Sequence, residues 1–163
     1  QIVLDYLNRR LPGVIDGGGA PVDVRDVAQA MIAAVDQGRS GERYIVGGDT
    51  FYSFRELNAI LAHVSDIAAP WMPIPHPVAL TMATLMENIA RLTGRPTLVT
   101  VDGGRTLRER RLTSSTKARR ELGATFRPLE QTLRDEVDWF RIHMPEKLSA
   151  AALRANPASL ERA

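Results

Sequence analysis

The chain has 163 residues, 44% of them hydrophobic and 25% charged, with a net charge of +2. That is enough apolar sequence for one domain with a real core, and too little charge to indicate a nucleic-acid binder by itself. There is no cysteine, which excludes disulfides, thiolate metal sites and a cysteine nucleophile; no apolar run nears the ~20 residues of a membrane span and no signal peptide is visible, so a cytoplasmic protein is expected.

Residues 1–10 read as a helix, with Ile2, Val3, Tyr6 and Leu7 as its apolar stripe. A chain that opens on Gln1 inside a helix pattern reads as a piece of something longer. Leu11-Pro12-Gly13 stops this helix, Val14-Ile15 is a short strand, and residues 16–21 form a turn. Gly17-Gly18-Gly19 lead into a strand rather than open a helix, so they do not match a dinucleotide phosphate loop.

Val22-Asp23-Val24-Arg25 alternates like a strand, and Asp26 with Gln29 forms a capping-box arrangement for the helix that follows. Val27, Met31, Ala34 and Val35 are its expected buried side, and Gly38 its stop. Glu42-Arg43-Tyr44-Ile45-Val46 is rich in β-formers and reads as a strand closed by Gly47-Gly48. Ser53 and Glu56 form a second capping box, with Tyr52 and Leu57 as a hydrophobic staple. Four prolines between Pro70 and Pro77 make a stiff connector. The next helix runs to about Thr93, with Val78, Met82, Leu85, Met86, Ile89 and Leu92 expected on its buried side.

Leu98 to Val101 reads as a short extended piece, and Asp102 to Arg111 as a polar, arginine-rich segment. Ser114 or Ser115 caps a short helix that ends at Gly123. Pro128 opens the last strong helix, with Leu129, Leu133, Val137, Phe140 and Met144 at helical spacing and a Glu130–Arg134 pair. The expected organisation is one main unit over 1–144 and a short helix with a frayed tail over 145–163.

No catalytic constellation emerges from the residues themselves. His63, His76 and His143 lie apart, with no carboxylate at metal-ligand spacing. Asp135, Glu136 and Asp138 read as a solvated helix face. Arg105, Arg108, Arg110 and Arg111 fall within seven residues, followed by Arg119 and Arg120. Such a group forms a solvated surface, grips an anionic small molecule bidentately, or contacts nucleic-acid phosphates. The lack of aromatic residues there argues against base stacking.

Four segments resemble the extended short-chain dehydrogenase/reductases of the NAD-dependent epimerase/dehydratase group. Val22 to Ala28 resembles the family's V-x-V-x-D-V-A turn. Gly41 to Gly48 resembles its G-x-x-Y-x-x-G-G strand. Ser115-Thr116-Lys117-Ala118 with Glu121-Leu122-Gly123 resembles its D-x-S-K-A-x-x-x-L-G segment, with Ser114 at the aspartate position. Pro128 to Phe140 resembles its closing helix. The loops resemble the dihydroflavonol-reductase-like and hopanoid-associated sugar-epimerase-like members.

The resemblance implies an α/β fold: the C-terminal part of a Rossmann-type enzyme, mostly helical with a few short strands. It implies the substrate-binding part of an NAD(P)-dependent epimerase, dehydratase or reductase acting on a nucleotide sugar or a small carbonyl or alcohol. The family's glycine-rich loop and Tyr-x-x-x-Lys have no counterpart here; Tyr6, Tyr44 and Tyr52 lack a lysine four residues on. No catalytic, cofactor-binding or metal residue is therefore assigned, and the segment alone is expected to be inactive. Arg105 and Arg108 are the expected substrate contacts. NAD or NADP is expected in the parent enzyme and not on this segment alone. The expected partners are a small-molecule substrate, an N-terminal dinucleotide-binding half and a possible homodimer, with no nucleic acid and no membrane. The alternative is a truncated binding or dimerisation module without activity.

Overall fold

A computed structural model describes residues 1–93 and 113–154. Its elements are α1 (Ile2–Leu7), β1 (Val14–Ile15), β2 (Gly18–Gly19), α2 (Val24–Gln37), β3 (Tyr52–Ser53), α3 (Phe54–Ser65), β4 (Pro73–Ile74) and α4 (His76–Thr93). After the undescribed stretch come α5 (Thr116–Leu122), α6 (Leu129–His143), a 3-10 turn (Pro145–Lys147) and α7 (Ala150–Arg154).

Helices α1, α3 and α6 build the main core because each carries one apolar stripe. Tyr6, Leu7, Leu61, Val64, Leu133 and Val137 meet there, almost wholly buried. The Tyr6 hydroxyl donates to the Ile67 carbonyl at 2.6 Å, and burial pushes its pKa up to about 12. Arg141, buried on α6, donates from Nη2 to the Ser65 carbonyl at 2.9 Å, and its burial lowers its pKa. Leu148 and Ala152 close this core from the C-terminal side. Asn8 anchors that side: its Nδ2 donates to Lys147 O at 2.8 Å, and its Oδ1 accepts from Ser149 N at 2.7 Å. The frayed tail expected beyond residue 154 lies outside the described residues.

A second core joins α2 to α5 through Ala30, Ala118, Leu122 and Ala124, with Tyr44, Val46 and Phe126 against it. Small side chains let the two helices approach closely. Gly123, in the left-handed region at φ 63°, ends α5.

Two short strand pairs lie beside α3. β1 lies parallel to β4, Val14 opposite Pro73 and Ile15 opposite Ile74. β2 lies antiparallel to β3, Gly18 opposite Ser53 and Gly19 opposite Tyr52. The glycine turn thus carries a ladder, because a side chain there has no room. A Cβ on Gly18 would fall 2.1 Å from the Tyr52 carbonyl oxygen.

Several elements differ from the sequence reading. Residues 22–24 are not a strand, and the cap of α2 is Asp23, not Asp26. Both aspartates suit a cap by type; Asp26 is claimed instead by Arg127, as described below. Met31 and Val35 are exposed, while Ala30 and Asp26 are the buried residues of that helix. Residues 42–46 have no ladder partner among the described residues. Tyr44 and Val46 are half-buried and Ile45 is exposed, so the alternation survives without the pairing. On α4 the large residues expected inside are outside, and Ala83 is buried in their place. Ser115 holds the cap position of α5 without a capping bond; its hydroxyl binds both backbone groups of Gly47.

Candidate functional site

The parallel pair β1–β4 opens at its carboxyl ends into a groove of about 380 Å³. Ligands of open α/β sheets sit beyond the carboxyl ends of parallel strands. Asp16 and Arg55 are the charged residues lining this groove, with Ser53 and Pro75 beside them. Asp16 follows β1 directly, and Arg55 sits in the first turn of α3. The β2–β3 ladder brings them together across the sequence, aided by Phe54 N donating to Gly17 O at 2.9 Å.

The wall that carries Arg55 is fixed by a complete capping box. Glu56 N donates to Ser53 Oγ at 3.2 Å, and Ser53 N donates to Glu56 Oε2 at 2.7 Å. Both Asp16 and Arg55 are exposed, and neither has an ion-pair partner among the described residues. A guanidinium grips phosphate or carboxylate bidentately, and a carboxylate accepts hydroxyl protons. The groove thus suits a ligand bearing both an anionic and a hydroxylated part.

A smaller cleft, of about 140 Å³, lies where α2, α5 and α6 meet. Its charged residues are all spoken for. Asp23 Oδ1 accepts from Arg25 N at 2.9 Å, and its Oδ2 accepts from Arg25 Nη2 at 2.7 Å and Thr132 Oγ1 at 2.9 Å. These bonds, that from the Arg25 side chain foremost, hold the Asp23 carboxyl far below the usual range. Arg25 Nη2 also reaches Asp135 Oδ2 at 2.7 Å, joining α2 to α6. Asp26 accepts from Arg127 N and from Arg127 Nη2, both at 2.8 Å. Asp49 accepts from Ser115 N at 2.8 Å and from Arg119 Nη2 at 3.0 Å. The Ser115 amide, first among its partners, lowers the Asp49 pKa. The Arg119 guanidinium lies 4.4 Å from the Phe126 ring centroid. This cleft is a structural junction with no spare acid or base.

The sequence candidates separate accordingly. Arg105 and Arg108 lie outside the described residues. Arg119 pairs with Asp49, and Arg120 with Glu121 at 2.8 Å, so these two act within the fold. Asp135 ties α6 to α2 rather than facing water freely. Glu136 is raised by burial. His63 Nε2 lies 3.7 Å from Glu130, and His143 stacks on Trp139. Among the described residues no three His, Asp or Glu side chains gather as a metal site requires, and no helix is long and apolar enough to cross a membrane. Asp16 and Arg55 escaped the sequence reading. The signal for them was the non-local strand pairing, which local patterns do not carry.

No family model matches the chain. By sequence it is 33% identical over 150 residues to a Synechocystis sp. protein named after dihydroflavonol 4-reductase, covering 88% of this chain and 43% of that relative. It is 27% identical over 143 residues to sterol demethylase protein B of Methylococcus capsulatus, covering 86% and 43%. By structure it is similar to gox2253, with a TM-score of 0.69, 28% identity and coverage of 91% and 44%. A nucleoside-diphosphate-sugar epimerase from Pseudomonas aeruginosa gives a TM-score of 0.66, 25% identity and coverage of 91% and 43%. The chain belongs to the extended short-chain dehydrogenase/reductases. It carries the C-terminal portion of that Rossmann-type fold, mostly helical with short strands. It spans less than half the length of these short-chain dehydrogenase/reductase relatives.

Proposed function

We propose that the chain forms the substrate-binding part of an NAD(P)-dependent epimerase, dehydratase or reductase. Its substrate is a nucleotide sugar or a small carbonyl or alcohol, gripped beyond β1 and β4. The groove, with Asp16 and Arg55 unpaired among the described residues, carries this reading. Arg55 takes the anionic part of a nucleotide sugar, and Asp16 orients its hydroxyls. The names of the relatives span a nucleoside-diphosphate sugar, a dihydroflavonol and a sterol, and Arg55 favours the first.

On this reading the cofactor belongs to a complementary half. When bound, the nicotinamide supplies the hydride step; this chain positions the substrate. An exposed apolar stripe supports the reading of such a half. Helix α2 is apolar on two sides, and its outer stripe of Val24, Met31, Ile32 and Val35 is exposed. A contiguous exposed stripe of large apolar residues suits an interaction surface. The unpaired segment 43–46 beside it offers free backbone groups for a strand, since Tyr44, Ile45 and Val46 N–H have no partner among the described residues.

The test compares the purified chain with the same chain expressed together with its adjoining reading frame. Binding of UDP-glucose and of a dihydroflavonol is measured by calorimetry, and turnover by NAD(P)H absorbance. The chain alone should show no turnover. In the longer protein Arg55→Ala should weaken UDP-glucose binding about tenfold, the worth of one charged hydrogen bond. Turnover by the chain alone, or an Arg55→Ala variant that binds every ligand normally, removes the proposal.

A further inference from the structure

The parallel pair β1–β4 has a second groove, at its amino ends, of about 320 Å³. Leu11 and Pro12 lead into β1, and Trp71 and Met72 lead into β4. The two approaches are joined before the ladder starts: Val14 N donates to Met72 O at 2.8 Å, and a Cβ on Gly13 would fall 2.5 Å from that oxygen. Pro12 and Pro70 stiffen them further, so the walls are set in place without a ligand. Trp71, one of the lining residues, is 84% exposed. Arg9 completes the lining from the end of α1, exposed and without an ion-pair partner among the described residues. Arg9 also stands where a helix end favours glycine. Its N–H donates to Tyr6 O at 2.9 Å and Arg10 N to Asp5 O at 2.8 Å, the two bonds that close a helix through a left-handed residue. That residue is Arg9, at φ 56°. Glycine meets this conformation freely, whereas a side chain carries strain there. The fold thus holds a cation at this corner against local preference.

We propose that this groove is a second ligand site, for a nucleoside monophosphate. The exposed Trp71 ring offers a face on which a base stacks, and the Arg9 guanidinium takes the phosphate bidentately. No carboxylate lines the groove to compete for that cation. Arg10 follows it, also exposed and without an ion-pair partner among the described residues, so the local field suits a phosphate dianion better than a single carboxylate. The volume lies at the small end of ligand pockets, room for one nucleotide rather than a dinucleotide. The groove beyond the carboxyl ends shares no lining residue with this one. Neither α2 nor the segment 43–46, the surface assigned above to the complementary half, contributes to it. The inference therefore does not rest on the proposed function.

The experiment is a titration of the full chain with AMP, read by calorimetry and by tryptophan fluorescence, with adenosine and ribose 5-phosphate as probes of the separate contacts. AMP should bind. It should also quench the emission of a Trp139→Phe variant, in which Trp71 is the remaining tryptophan. Adenosine and ribose 5-phosphate should each bind at least about tenfold more weakly, since each lacks one of the two contacts. Arg9→Gly and Trp71→Ala should each weaken AMP binding about tenfold. Arg9→Gly should meanwhile keep or raise the thermal midpoint, because glycine suits φ 56°. Absence of AMP binding overturns the proposal. So does ribose 5-phosphate binding as tightly as AMP, which would mean a bare anion site. Binding that survives Arg9→Gly and is lost in Arg55→Ala would put the nucleotide in the other groove, and overturns it as well. A lowered midpoint in Arg9→Gly, with Trp71→Ala binding AMP normally, would mean that Arg9 serves the fold alone, which also overturns it.

Discussion

Arg127 holds Asp26 twice, through its backbone N–H and through Nη2, both at 2.8 Å, across 101 residues of sequence. Asp26 is buried, and the Arg127 side chain is 21% exposed. Removing one partner of such a pair leaves the other uncompensated. Asp26→Ala should therefore cost about 2–4 kcal/mol in urea unfolding. A loss within the range of ordinary surface substitutions would show that the contact is solvated and dispensable.

Gly48 is where two loops pass too closely for a side chain. A Cβ there would lie 2.4 Å from the Pro21 carbonyl oxygen, whereas Gly19 has open space around its Cβ position. Gly48→Ala should lower stability by about 1–3 kcal/mol through forced backbone shifts. Gly19→Ala should be close to neutral. Equal thermal midpoints for the two variants would refute this contrast.

The acid limb of stability should be set by carboxylates held below their ordinary values, Asp23, Asp49 and Glu121 among them. Asp23 and Asp49 are held below their ordinary values by hydrogen bonds, and Glu121 down to about 2, led by the Arg120 side chain with Arg39 and Tyr44 adding. A depressed folded-state pKa stabilises the fold above the unfolded value, and that contribution is lost as pH falls through the folded value. The unfolded reference is 4.5 for Glu121 and 3.8 for the aspartates. Thermal midpoints should hold from neutral pH to near 5, then fall steeply toward 2. Glu121→Gln should flatten that fall; an unchanged acid slope would count against its ion pairs being retained in solution.

Ser53 and Arg55 lie two residues apart and should respond differently. Ser53→Ala breaks the capping box and should cost about 1 kcal/mol of stability. Arg55→Ala removes an exposed cation with no ion-pair partner among the described residues and should change stability by less than about 0.5 kcal/mol. Denaturant midpoints check both. A large loss from Arg55→Ala would mean a structural role and would weaken the groove assignment.

What the sequence made legible was local. The Ser53–Glu56 box, the Gly123 stop and the Glu130–Arg134 pair, 2.9 Å apart, lie within one helical turn and appear as read. The cap of α2 was misplaced because Asp23 and Asp26 are equivalent to a local rule, and the choice is made by Arg127 and Thr132 from far along the chain. Periodicity found the apolar stripe of α4 but could not tell which side the body covers; Ala79, Ala83 and Ala90 took that place because small residues permit close approach. The groove was invisible for the same reason, since Asp16 and Arg55 meet through non-local pairing. The proposed contacts Arg105 and Arg108 lie outside the described residues.

Asn8 stands at the end of the first helix and grips Lys147 and Ser149 just before the last one. Residues nearly 140 positions apart are thus stitched side by side at one edge of the main core. The polypeptide between them leaves and returns at the same seam. A segment bounded in this way can be lifted out and exchanged with the matching segment of a relative, with both junctions falling at one place on the surface. Chimeras joined at this seam should keep the core of either parent intact, making the edge marked by Asn8 a natural splice point.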